Sequence, residues 1–85
     1  MKHPEKGARV WVQLAGKKKI AGIILDSGFS AEGDYDVCKV ELLVVNPLSP
    51  GQLLRQVYPK PIQSYKLTKR YDHELLPGEE REAVQ

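Results

Sequence analysis

Three consecutive lysines, Lys17, Lys18 and Lys19, are the densest positive run in the chain. Ammonium groups packed this closely suit the neutralisation of phosphates. Arg55, Lys60, Lys66, Lys69 and Arg70 add positive charge in the last third, with Tyr58, Tyr65 and Tyr71 interleaved among them. Single-stranded nucleic-acid surfaces combine these two ingredients, charge for the backbone and rings on which bases stack. Trp11, the one tryptophan, alternates with Val10, Val12 and Leu14. If those three line a core, the indole points away from it. There it anchors a base, a peptide or a second subunit, unless the C-terminal segment covers it. The expected ligand-binding set is Trp11, Lys17, Lys18, Lys19, Arg55, Tyr58, Lys60, Tyr65 and Lys66, with a nucleic acid or a protein as partner.

The residues of catalysis and metal binding do not gather. His3 lies at the start of the chain and His73 in its acidic end, while Cys38 stands between Val37 and Val40 in a stretch that reads as a strand. One cysteine and two distant histidines do not supply the spacing of a zinc site. A thiol among apolar strand neighbours is a small buried hydrophobe rather than a nucleophile. Asp34 and Asp36 lack the further oxygens of a calcium loop. Gly16-Lys17-Lys18 lacks the upstream glycine and the Ser/Thr of a phosphate-binding loop. The expectation is a non-enzymatic chain with no catalytic, metal or cofactor residues.

Charge is unevenly distributed along the 85 residues. Through Tyr71 there are 12 Lys/Arg against 6 Asp/Glu, a net of +6; from Asp72 onward there are 5 acids and 1 Arg, a net of −4, giving +2 overall. A basic body attracts polyanions through counterion release. An acidic end such as Glu79, Glu80 and Glu82 either solubilises a loose terminus or folds back over the basic surface and competes with its ligand. The longest apolar run, Leu42–Val45, falls far below the roughly 20 residues that cross a bilayer, so no membrane partner is expected. The single cysteine and the missing apolar leader fit a cytoplasmic setting.

The elements that must position these groups are short strands. Arg9–Leu14 alternates with the two-residue period of a half-buried strand. Ala15–Lys18 is a glycine-containing hairpin, and Lys19–Asp26 the return strand, with Gly22 expected to mark a bulge or bend. Ser27–Asp34 reads as a loop, Tyr35–Val45 as the longest strand, Asn46–Gly51 as a stop, and Gln52–Tyr58 as a further strand. Pro59 and Pro61 end it; Ile62–Ser64 fits one tight helical turn and Tyr65–Thr68 a closing strand. Past Asp72 only Leu75, Leu76 and Val84 are large and apolar, giving at most a frayed or partner-dependent helix. The Leu42–Val45 run needs cover on both faces, from a strongly bent sheet or from another copy of the chain. Leu43 and Val45 are therefore the expected interface of a homo-oligomer.

The opening Gly7-Ala8-Arg9-Val10-Trp11-Val12, followed by a Gly-Lys hairpin and a return strand, resembles the start of the Src-homology-3-like small β-barrels. Gln56-Val57-Tyr58-Pro59, the one-turn insertion at Pro61–Ser64 and Tyr65-Lys66-Leu67 resemble their last two strands. The resemblance spans Gly7 to Thr68. It implies an all-β, five-stranded, strongly bent barrel with a short one-turn helix before the last strand. Peptide-binding members carry acidic loops and a clustered aromatic groove, from which the basic first hairpin and single Trp depart. The division expected is an N-terminal extension (1–6), a barrel domain (7–71) and an acidic, partly flexible tail (72–85). Two functions follow: a binding module that holds a polyanion such as single-stranded RNA or DNA, or a structural barrel that self-assembles through its apolar strand. A remote third is a small-barrel enzyme. Arg55-Gln56-Val57-Tyr58-Pro59 is faintly similar to a segment of the type II dihydrofolate reductases, and the first strand to that of toxin ribonucleases.

Overall fold

A computed structural model of the chain describes residues 4–29 and 36–79. Its order is β1 (Arg9–Val12), β2 (Ile20–Phe29), β3 (Asp36–Val45), β4 (Leu53–Val57), β5 (Ile62–Gln63), a 3-10 turn (Ser64–Lys66), β6 (Leu67–Lys69) and a second 3-10 turn (Asp72–Glu74). The fold is all-β: one antiparallel sheet, with no helix among the described residues beyond the two 3-10 turns. No helix among them is long and apolar enough to cross a membrane. The strand order is β4-β3-β2-β1-β6, and β5 pairs with the first half of β3. Among the described residues six strands form where five are expected. The additional one is β5, because Ile62 and Gln63 pair with Cys38 and Val37 before the chain turns. The helical turn therefore comes two residues later than its composition suggests.

Alternation assigns every side chain to a face. Val10, Val12, Ile24, Val40 and Leu67 point inward with Cys38 and Ile62, and all seven are buried. Gly22 belongs to this inner layer and is needed there: a Cβ would lie 2.8 Å from Val40 Cγ1 and 3.1 Å from Val12 Cγ2. The expected bulge at Gly22 is thus a site of close packing. The actual irregularity falls three residues on, where Ile24 faces Val40 and Asp26 faces Lys39, leaving Leu25 as the inserted residue. The expected loop starting at Ser27 is also shortened, since Ser27, Gly28 and Phe29 continue the ladder against Cys38, Val37 and Asp36. Backbone pairing to a long neighbour overrides the local turn composition. The rest of that loop (30–34), and Tyr35 at the expected start of the third strand, lie outside the described residues.

The other face carries the register row Trp11, Ala21, Leu43 and Arg55. Ala21 and Leu43 are buried although they turn away from the core. Across the same face runs the chain's own return: Arg70 lies over Trp11, and in the strap that follows (71–79) Glu74 bonds the indole and Gly78 meets Gly51 in the β3–β4 turn. Gly78 has φ +91°, and a Cβ there would sit 2.0 Å from the Gly51 carbonyl oxygen, so only glycine lets the strap cross at that point. Over residues 72–79 the expected frayed helix is an irregular strap with one 3-10 turn, and the remainder (80–85) lies outside the described residues. The second cover demanded by the Leu42–Val45 run is, for Leu43, intramolecular. Leu43 is therefore no free interface residue, and Val45 is half-buried.

Candidate binding surfaces

Two basic-aromatic regions form, and their geometry differs. The first is the end of the sheet where β1 leaves for β2. Lys17, Lys18 and Lys19 are all exposed on the loop Gln13–Lys19. Gln13 fixes that loop to the 3-10 turn: its backbone N–H donates to Lys66 O at 2.9 Å, and its side-chain Nε2 donates to Lys17 O at 2.7 Å. Lys17 N–H closes the loop on Leu14 O at 3.1 Å. Tyr65 is 59% exposed, with the Lys66 ammonium 5.9 Å from its ring centroid. Among the described residues, no carboxylate pairs with Lys17, Lys18, Lys19 or Lys66.

The second region is the outer face at β1 and β6. Arg70 is buried, and its guanidinium is aimed by the sheet: Nε donates to Val10 O and Nη2 to Gly22 O, both at 3.1 Å. Its fork meets Glu79 in a bidentate pair, Nη2 to Oε2 at 2.8 Å and Nη1 to Oε1. Arg9 Nε adds a donor to Oε2 at 3.2 Å, and Leu76 N–H one to Oε1 at 3.0 Å. Burial pushes the Glu79 carboxyl up, but the bonds from Arg70 and Leu76, with the charges of Arg70 and Arg9, outweigh it and hold it below its ordinary value. Glu74 takes the Tyr71 N–H at 3.0 Å and the Trp11 indole N–H at 2.9 Å, and these two bonds hold its carboxyl low as well. Glu79, expected in an acidic end that either solubilises the terminus or folds back, is wholly buried against Arg9 and Arg70. Trp11, expected as a free outward anchor, does face outward but is half-buried under the strap.

The other expected site residues lie apart from both regions. Arg55 Nη1 is bonded to Glu41 Oε1 at 2.6 Å, across β3 and β4. Tyr58 is half-buried and packs against the core, and Lys60 is exposed on the link to β5. A shallow cleft of about 220 Å³ between Asp26, Ser27, Gly28, Val37, Lys39 and Pro61 includes none of them. Among the described residues, no three His, Cys, Asp or Glu side chains group to hold a metal ion. Glu79 was expected only as part of an acidic end that solubilises or folds back, and Glu74 was not singled out, because a run of acids with few apolar neighbours reads first as solvated charge. The signal available was Leu75-Leu76 followed by Pro77-Gly78, an apolar pair and a sharp bend between two glutamates.

Comparisons with protein-family models, with curated proteins and with solved structures find no match for this chain.

Proposed function

We propose that the chain is a non-enzymatic binding module that holds a polyanion, single-stranded RNA or DNA in class, on the surface formed by Lys17, Lys18, Lys19, Tyr65 and Lys66. The observation that carries this reading is the Gln13 bridge, which brings a lysine triplet and an exposed ring-lysine pair, 46 positions apart in sequence, onto one end of the sheet. Charge supports it too. The strap's Glu74 and Glu79 are taken up by Trp11, Arg9 and Arg70, so they do not neutralise the lysine end. Attraction to phosphates there adds to stacking on Tyr65, which makes binding salt-dependent and tolerant of sequence. Arg55 is dropped from the ligand surface because it is committed to Glu41, and Trp11 because it is covered.

The scaffold in this reading is an SH3-like barrel. What supports closure is that β5 pairs with β3 and β6 with β1, while a single 3-10 turn joins β5 to β6 and draws those two parts of the sheet together. The buried thiol of Cys38 supports a reducing, cytoplasmic setting.

Fluorescence anisotropy of a labelled single-stranded oligonucleotide tests the function. K17S/K18S/K19S is expected to bind roughly tenfold or more weakly than the parent, with Arg55→Ser close to it. Equal losses from the two variants would remove the proposed surface.

A second reading, self-assembly, has its own observation. Val44 and Leu54 face each other across β3 and β4, 52% and 50% exposed, on the face that elsewhere forms the core. Under this reading Leu54→Lys yields a monomer where the parent is larger, as measured by light scattering; a parent that is monomeric at high concentration ends it.

A further inference from the structure

The Arg70–Glu79 pair joins two parts of unequal standing. Arg70 belongs to the body: its N–H donates to Arg9 O at 3.1 Å, continuing the β1–β6 pairing, and its guanidinium is held by Val10 O and Gly22 O. Those bonds do not involve the strap, so the fork is aimed before any carboxylate arrives. Beside it stand Arg9 and the Trp11 ring, whose centroid lies 5.6 Å from the Arg70 guanidinium carbon. Next in the register row come Ala21 and Leu43, both apolar and buried. A preset arginine fork, a second arginine, an indole N–H and an apolar floor make a receptor for a peptide that carries carboxylates and aliphatic side chains.

The strap fills that receptor without becoming part of the sheet. Its backbone bonds among the described residues are local, Glu74 N–H to Tyr71 O and Glu79 N–H to Leu76 O. The bonds that fasten it to the body come from two side chains, Glu74 to Trp11 and Glu79 to Arg9 and Arg70. Between these fasteners lie half-buried Leu75 and Leu76 and the Pro77-Gly78 bend. We propose that Arg9, Trp11 and Arg70, with Ala21 and Leu43 as floor, form a binding site for an acidic peptide of the pattern Glu-Leu-Leu-Pro-Gly-Glu. In the free chain that site is occupied in cis by residues 74–79. A partner protein presenting two carboxylates around such a bend competes for the site, and the tethered strap raises the concentration it must reach. The site is separate from the lysine end and does not depend on the polyanion reading.

The test uses the full chain and a labelled peptide with the sequence of residues 71–80. In E74Q/E79Q both fasteners are weakened, so the fluorescence of Trp11 is expected to shift toward that of a solvated indole. The peptide is then expected to bind at least roughly tenfold more tightly than to the parent. The same peptide with the glutamates of positions 74 and 79 changed to glutamine is expected not to bind, and adding Arg70→Lys to the chain is expected to abolish the gain. K17S/K18S/K19S is expected to leave peptide binding unchanged, which separates this site from the lysine surface. The proposal is overturned if Trp11 stays covered in E74Q/E79Q, or if it becomes exposed and takes up no peptide. It is also overturned if the opened site prefers a single-stranded oligonucleotide to the peptide. Should E74Q/E79Q lose its sheet by circular dichroism, Glu74→Gln alone, which spares the buried pair, is expected to give a smaller gain in the same assay; no gain there overturns the proposal as well.

Discussion

The lysine end and the outer face are built from the same kinds of residue and finish in opposite electrostatic states. Lys17, Lys18 and Lys19 sit on an exposed loop, and their ammonium groups have no acidic partner among the described residues. Arg70, one residue beyond a strand, is buried, bonded to two backbone carbonyls and paired with a buried carboxylate. A count of basic and aromatic residues does not separate the two cases. What separates them is whether the chain later returns with a carboxylate. Among the described residues it returns to Arg9, Trp11 and Arg70, and not to the lysines. Positive charge indicates a ligand surface only after the chain's own acids have been assigned.

The contrast can be broken most severely at Arg70. Arg70→Ala leaves Glu79 buried without its main partner and frees the Val10 and Gly22 carbonyls. Removing one member of a buried ion pair costs about 3–5 kcal/mol. Urea denaturation followed by circular dichroism is expected to show a loss of that size, and a change below about 1 kcal/mol would mean the pair is not buried in solution.

Acid separates the two regions next. Both fastening carboxylates are held below their ordinary value in the folded chain. Their stabilisation is therefore present above the unfolded carboxylate pKa, about 4.3, and is lost as pH falls through the lowered folded values. Around Glu74 the charged neighbours are His73 and Arg70; around Glu79 they are Arg70 and Arg9. Trp11 fluorescence is expected to stay constant from neutral pH to about 5 and to change below about 4. A transition near neutrality would assign the fastening to other groups.

At the lysine end, Tyr65→Ala is expected to cost about 1–3 kcal/mol of single-stranded binding, the worth of one stacked base, while leaving the melting temperature close to the parent's. No change in affinity would leave the lysines as a purely electrostatic patch. The smallest effect belongs to the Glu41–Arg55 pair, with side chains 20% and 35% exposed. Glu41→Gln is expected to change stability by less than about 1 kcal/mol.

Much of the sheet is written in local patterns. The alternation at Arg9–Val12, the glycine hairpin, the long third strand and the proline stop at Pro47–Pro50 each give an element within a few residues of its place. The errors occur where distant contacts decide. Ser27–Phe29 has loop composition but pairs with the start of β3, and Ile62–Gln63 has turn composition but pairs with the same strand. Gly22 is a packing glycine because Val12 and Val40 converge on it from two other strands, a convergence its neighbours in sequence do not reveal.

The site was legible in part for the same reason. Lys17–Lys19 is a contiguous run on a hairpin, so its exposure follows from local sequence. Its junction with Tyr65 and Lys66 depends on one glutamine reaching two loops. The outer cradle was hidden because Glu79 lies 9 positions from Arg70 and 70 from Arg9. Leu43 shows the cost of that gap: an apolar residue on the outward face reads as an interface until its burial within the folded chain is seen.

The central claim is that the lysine end is an open polyanion surface, and the slope of binding against salt tests it most directly. Anisotropy titrations of the parent and of K17S/K18S/K19S with one labelled single-stranded oligonucleotide, from about 50 to 200 mM salt, give that slope. Each phosphate contact on a single strand contributes about 0.7 to the slope of log affinity against log salt, so loss of three contacts should flatten it by about 2. A parent with no measurable binding at low salt, or two proteins with the same slope, would contradict the account.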